Sequence, residues 1–267
     1  MPQPTPHELV NKRLDRRIGP IDRLHERARY RAMSGSPPVL FIPGFMQPAS
    51  AWAVVAEQLD PPTTLLEHRE HTFEGRIQEI AAAGGAGALL VGYSLGGRLA
   101  LRAALRDPER YAGLVTVGVT AGIEDPVERA ARAEADERLA SWIEAAPIED
   151  VVAVWERQPL FADQSDALVD QQRAGRLAQD PIELARLLRT AGQGVLEPVW
   201  HELLTFQLPV LAVAGARDDG YVRAAKKIAD TAANAKAQIV EDAGHAPQLQ
   251  QPAELASLIA GFRSALD

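Results

Sequence analysis

Ser94 stands in the run Gly92-Tyr93-Ser94-Leu95-Gly96, a glycine two residues to either side of it. A serine hydroxyl is a weak nucleophile and a weak base. It becomes useful when a histidine takes its proton and an acid orients that histidine. Both partners lie downstream, in the order acid then histidine that accompanies a Gly-x-Ser-x-Gly turn. Asp218 and Asp219 follow the apolar run 210–214, and His245 follows Gly244 just past a second apolar run at 238–240. Of the six histidines, only His245 sits on a late strand-to-helix connection. His68 and His71 follow a short apolar run and could line a cleft. His7, His25 and His201 read as surface or capping residues.

Around Ser94 the apolar run 88–91 reads as a buried strand and 95–106 as a helix, so the serine occupies a sharp strand-to-helix turn with its hydroxyl exposed. Glycines on both sides relieve crowding there. The start of a helix also favours developing negative charge. An oxyanion needs two aimed N–H donors. One is expected from Leu95, after the serine. The other is expected from the loop Pro43-Gly44-Phe45 after the run 39–42, with Phe45 as the candidate. Arg98, four residues past Ser94, falls on the same helical face, where its guanidinium can grip a carboxylate through two hydrogen bonds.

These residues need elements to hold them. Short apolar runs at 39–42, 64–66, 88–93, 114–119, 210–214 and 238–240 alternate with amphipathic stretches at 50–59, 75–83, 95–106 and 224–233, and a last helix is expected from Pro252. Strand alternating with helix predicts an α/β fold, a mostly parallel central sheet flanked by helices on both faces. Between 119 and 210 the alternation stops. Helical stretches at 126–145, 148–157, 165–176 and 181–191 fill an interval too long for a loop. The chain therefore divides into a core, 1–119 with 205–267, and a helical lid, 120–204, over the strand ends where open α/β sheets bind ligands.

The composition narrows the function further. The chain lacks cysteine, which removes disulfides, thiolate metal sites and a cysteine nucleophile. A net charge of −8 argues against general nucleic-acid binding but not against an anionic small substrate, because a local arginine cluster overrides the global sign. No apolar run approaches the about 20 residues that a membrane span needs. The first six residues are polar and Pro-rich without a signal-type apolar stretch, so a cytoplasmic location is expected. The arginine-rich segment at 7–31 reads as a solvated face packed on the domain. No cofactor or metal is expected, and oligomeric state is left open.

The same residues resemble a known family. Pro43-Gly44-Phe45, the run from Gly92 through Gly97 to Arg98, Trp155-Glu156-Arg157-Gln158-Pro159-Leu160-Phe161, the stretch 186–193 leading to Trp200-His201-Glu202-Leu203, the stretch 215–221, and Gly244-His245 are similar to 2-succinyl-6-hydroxy-2,4-cyclohexadiene-1-carboxylate synthase of menaquinone biosynthesis. That family is a branch of the α/β-hydrolase superfamily. The resemblance covers most of the chain from about residue 37 onward and implies an α/β-hydrolase fold. Its Gly-x-x-Asp pattern selects Asp218 over Asp219. It further implies a lyase that eliminates pyruvate from a substrate with several carboxylates, with the Ser–His pair abstracting a proton rather than forming an acyl-enzyme. Arg132 occupies the family's lid-arginine position, and Tyr93 and Trp155 match pocket positions, though both also suit packing aromatics. The chain departs from the family at Gln248 and Gln250, where a second histidine and a glutamate are usual, in the loop Thr120-Ala121-Gly122-Ile123, and in the longer segment before Tyr30. These departures keep an alternative open, a carboxylesterase or C–C-bond hydrolase using the same triad.

Overall fold

The computed structural model describes residues 35–266. The arginine-rich segment at 7–31 and the polar residues before it lie outside the described residues. Six strands, β1 (Val39–Ile42), β2 (Thr63–Leu65), β3 (Leu89–Tyr93), β4 (Gly113–Val117), β5 (Val210–Gly215) and β6 (Ala235–Val240), form one sheet in the order β2-β1-β3-β4-β5-β6. Every pairing is parallel. The inner strands are short, apolar and buried along their whole length because helices cover both sides.

Successive side chains of a strand point to opposite faces, so the sheet separates two cores. On one face Leu40, Leu90, Leu114 and Ala212 meet the helices α2 (Phe73–Gly84) and α3 (Leu95–Arg106). On the other Phe41, Val91, Val115 and Val213 pack with Trp52, Leu255 and Ile259, which come from the short α1 region (Ala53–Ala56, preceded by a 3₁₀ turn at Ala49–Trp52) and from the C-terminal helix (Pro252–Ser264). The chain runs from β1 outward to β2 and then returns to the opposite side of β1. The crevice of an open sheet lies at such a reversal, here between the carboxyl ends of β1 and β3.

The interval between β4 and β5 holds α4 (Pro126–Ala145), α5 (Ile148–Glu156), α6 (Asp166–Leu177), α7 (Pro181–Ala191) and the short α8 (Trp200–Leu203). The sequence marks the starts of three of them. Asp125, Ser165 and Asp180 each accept a backbone N–H of the first turn, and Pro126 and Pro181 sit at the first helical position, where no N–H is needed. Helices α4 and α7 run side by side, joined by ion pairs from Arg189 to Glu137 at 3.1 Å and Glu144 at 2.8 Å. The last turns of the core are α9 (Asp219–Thr231), α10 (Pro247–Gln250) and α11 (Pro252–Ser264).

Several boundaries differ from expectation. The strand expected at 114–119 stops at Val117, because Gly118 turns the chain at φ +62°. The edge strand β6 begins at Ala235 rather than 238. Its exposed Lys236 and Gln238 alternate with partly covered Ala235, Ala237 and Ile239, so half of it is polar and only its end reads as an apolar run. The helix expected at 224–233 begins at Asp219, capped by Asp218. The stretch expected as one helix at 50–59 is a 3₁₀ turn and a single α turn. Among the described residues no helix is long and apolar enough to cross a membrane.

Candidate active site

The turn between β3 and α3 puts Ser94 at φ 48°, ψ −114°, backbone that a non-glycine residue adopts at a cost of about 1–3 kcal/mol. The surroundings hold it there. The Ser94 N–H donates to the Val117 carbonyl at 2.8 Å, and the Ser94 carbonyl accepts from Arg98 N–H at 3.0 Å. The glycine at 96 is required by proximity, since a Cβ there would lie 2.3 Å from the Pro43 carbonyl oxygen. The start of α3 therefore presses against the end of β1, bringing the loop after β1 beside the serine.

Three elements distant in sequence bring the expected polar groups together. His245, buried in the loop after β6, places Nε2 3.2 Å from Ser94 Oγ and Nδ1 2.7 Å from Asp218 Oδ2. This pattern assigns the proton on Nδ1 to the carboxylate side and leaves Nε2 to accept from the hydroxyl. Asp218 ends the β5 turn and accepts from Tyr221 N–H as the cap of α9. Asp219 is the first residue of α9, exposed, and makes no bond to the imidazole. The rings of Tyr221, Tyr93 and Phe161 lie 4.5, 5.3 and 6.4 Å from that of His245. Gly118 completes this wall, for a Cβ there would meet His245 Cε1 at 3.0 Å. Sequence reading missed Gly118, whose only signal was a glycine interrupting an apolar run.

Ser94 and His245 open into a cavity of about 450 Å³. Phe45 and Leu95 line it, and the backbone N–H groups of both are without an acceptor among the described residues. The roof comes from the 120–204 interval: Arg132 of α4, Trp155 of α5, Phe161 of a 3₁₀ turn, Arg176 of α6 and Leu188 of α7. Trp155 sits 5.2 Å from the Phe45 ring and 5.6 Å from Phe161, spanning roof and floor. Tyr93 is part of the wall. It is buried, its ring fills the space over Gly44, and burial pushes its phenol pKa far above the ordinary value.

Among the described residues three arginines line the cavity, and they differ in what already holds them. Arg98 is 7% exposed, and its guanidinium has no hydrogen bond or ion pair among the described residues. Burial lowers its pKa from the ordinary arginine value, which records how poorly the charge is compensated. Arg132 is half exposed and donates to Asp136 at 2.8 Å and Gln193 at 3.2 Å. Arg176, which sequence reading did not single out, is buried and bonded to Glu156 at 2.9 Å and Gln172 at 3.0 Å. Its spacing in α6 resembles that of any solvated helix arginine, so only tertiary burial distinguishes it.

Of the other histidines, His7 and His25 lie outside the described residues, and His68, His71 and His201 do not line the cavity. His68 is buried against Glu79 at 2.7 Å, and His71 pairs with Glu183 of α7 at 2.7 Å. Of the two departures from the resembling family, Gln248 is buried beside the Tyr93 phenol, and Gln250 accepts the Gly244 N–H at 2.9 Å.

Comparison with known proteins agrees with this architecture. The profile of the alpha/beta hydrolase family matches residues 39–258. The chain is 30% identical over 243 residues to the 2-succinyl-6-hydroxy-2,4-cyclohexadiene-1-carboxylate synthase of Enterobacter sp. (strain 638), covering 85% of this chain and 91% of the relative. The solved structure of MenH from S. aureus has a TM-score of 0.80 at 26% identity, covering 86% of this chain and 94% of that one. A thermophilic esterase from Thermogutta terrifontis, solved with malate bound, shares the fold alone, with a TM-score of 0.69 at 20% identity over 86% and 90% of the two chains. The sheet order, the strained serine turn and these matches together make the chain a member of the alpha/beta hydrolase family, homologous to the cyclohexadiene-carboxylate synthases within it.

Proposed function

We propose that this chain is a carbon–oxygen lyase that eliminates pyruvate from a cyclohexene substrate carrying several carboxylates, giving 2-succinyl-6-hydroxy-2,4-cyclohexadiene-1-carboxylate in menaquinone biosynthesis. The observation that carries the reading is Arg98, a buried guanidinium with no protein partner among the described residues, one helical turn from Ser94 in the same cavity. A buried charge left unpaired is unfavourable, so the site is built for an anion that supplies the missing partner. Arg132 and Arg176 add further cationic lining, and homology to the synthases supports the same substrate class.

In this reading Ser94, His245 and Asp218 form the catalytic triad. Ser94 Oγ takes a proton from a substrate carbon while His245 Nε2 takes the hydroxyl proton, and Asp218 steadies the imidazolium. The electron pair left on carbon forms the new ring double bond as the carbon–oxygen bond to the leaving group breaks. The leaving enolate takes up a proton and departs as pyruvate. Phe45 and Leu95 N–H groups stabilise the charge that develops on a carboxylate or carbonyl oxygen. Arg98 and Arg132 hold carboxylates, Tyr93 and Trp155 shape the pocket, and the 120–204 interval acts as a lid.

The unpaired amides of Phe45 and Leu95 beside a 3.2 Å serine–histidine bond would equally serve an acyl-enzyme, which keeps a carboxylesterase or C–C-bond hydrolase as the second reading. One experiment separates them. Pyruvate release from the menaquinone-pathway substrate is followed beside hydrolysis of a short-chain nitrophenyl ester. Brisk ester cleavage with no pyruvate would replace the lyase with the hydrolase.

A further inference from the structure

Phe161 and Asp163 of the roof lie against the loop that carries His245. The Phe161 ring faces the imidazole at 6.4 Å. Asp163 is so close to the backbone of Gly244 that a Cβ on that glycine would sit 2.3 Å from Asp163 Oδ2. Between them stands Gln250, the last residue of α10. Its Oε1 accepts the Gly244 N–H at 2.9 Å, and its Nε2 donates to Asp163 Oδ2 at 2.8 Å. Asp163 makes no ion pair among the described residues, so this amide is its one side-chain hydrogen-bond partner there. Only a side chain with an acceptor and a donor on one planar group can make both bonds at once. A glutamate in this place would keep the Gly244 bond but would set a second carboxylate against Asp163.

We propose that Gln250 is a positioning residue that ties the roof to the histidine loop, so that the cover of the cavity and the base of the triad are set in place together. It touches no reacting atom. It acts through Gly244 on the residue that follows, and through Asp163 on the segment that carries Phe161. The inference rests on the assignment of His245 to the triad, not on the identity of the substrate.

The test uses the full chain with Gln250→Ala, Gln250→Glu, Asp163→Asn and the double variant Gln250→Glu with Asp163→Asn. Amide hydrogen exchange is read for segments 243–246 and 159–165, beside kcat and KM for pyruvate release. Gln250→Ala should expose both segments to exchange. Gln250→Glu should expose only 159–165, because it retains the acceptor for Gly244. Asp163→Asn should change little, since its own amide oxygen still accepts from Gln250. In the double variant the amide introduced at position 163 donates to the carboxylate introduced at position 250. The bond returns with its polarity reversed, and protection of 159–165 should return with it. Kinetically, Gln250→Glu should lose about 3- to 100-fold in kcat/KM, and the double variant should recover most of that loss, as expected for coupled neighbours. A structural effect on the fold at large would raise exchange in β3 as well and would not be rescued. Unchanged exchange at 159–165 in Gln250→Glu, or no rescue by Asp163→Asn, would overturn the tether. If the wild-type chain releases no pyruvate, the substrate reading fails, while the exchange measurements still decide the tether.

Discussion

Arg98 follows Ser94 by one turn of α3, and its backbone N–H donates to the Ser94 carbonyl at 3.0 Å. The strained serine and the arginine whose guanidinium has no partner among the described residues thus stand on one hydrogen-bonded turn of backbone. An anion held by Arg98 would therefore be anchored from the same helical turn as Ser94, whereas one held by Arg132 or Arg176 would be anchored from the roof. Arg132 and Arg176 both come from the roof and already hold carboxylates of their own, at Asp136 and Glu156.

The arginines should therefore rank. A buried pair broken on one side costs about 3–5 kcal/mol, and a partly solvated one about 1.5–3 kcal/mol. Arg98→Ala is expected near the upper end of a roughly 10- to 1,000-fold loss in kcat/KM toward the anionic substrate, and Arg132→Ala near the lower end, at about 1.4 kcal/mol per decade. Hydrolysis of a neutral nitrophenyl ester should hardly change in either. Equal losses on both substrates would mean general damage rather than loss of an anion site.

Asp218 and Asp219 can be told apart because only Asp218 reaches the imidazole. Asp218→Asn keeps an acceptor for the α9 cap, so the helix should survive, but it presents the wrong partner to Nδ1. Turnover should fall roughly 10⁴-fold, as for the corresponding change in serine proteases. Asp219→Asn should leave turnover within a few-fold. Ser94→Ala should match or exceed the Asp218→Asn loss with an unchanged melting temperature. Near-normal turnover in folded Ser94→Ala would remove the triad.

Gly118 offers a test of the wall behind His245. It lies at φ +62°, and an added methyl would press on the imidazole at 3.0 to 3.2 Å. Gly118→Ala should cost about 1–2 kcal/mol of stability from the left-handed backbone. By displacing His245 it should also lower kcat more than it raises KM. A melting shift with unchanged kcat would show that the histidine yields without consequence.

His68 should make stability depend on pH. Burial, with Arg76 nearby, lowers its pKa from 6.5 to about 4, so the imidazole is neutral in the folded chain while it donates to Glu79. Between these values the unfolded chain binds more protons than the folded one, so stability falls as pH drops from 6.5 towards 4. The loss from this group is on the order of 3 kcal/mol. Urea unfolding of the wild type and of His68→Gln at pH 7 and pH 4.5 measures it. The glutamine variant, which can still donate to Glu79, should lose less over the same interval. Parallel curves would show that His68 is protonated without penalty.

Much of this protein is local and so could be read from the chain alone. The apolar runs of β1, β3 and β5 are legible because an inner parallel strand is buried on both faces. The helices α4 and α7 are legible because each begins with an aspartate cap and a proline. Ser94 is legible because a strand-to-helix turn this tight leaves a glycine signature. The half-exposed β6 and the short α1 region were misjudged because edge and single-turn elements carry little periodic signal. Tertiary structure alone decided the rest. It brought Asp218, the acid that the family resemblance had already selected, together with His245 and Ser94 across three strand ends, and made Gly118 the backing of the imidazole. It separated Arg98 from Arg132 and added Arg176, because whether an arginine is solvated, paired or left bare depends on what folds over it, and that cover comes from helices far away in the sequence.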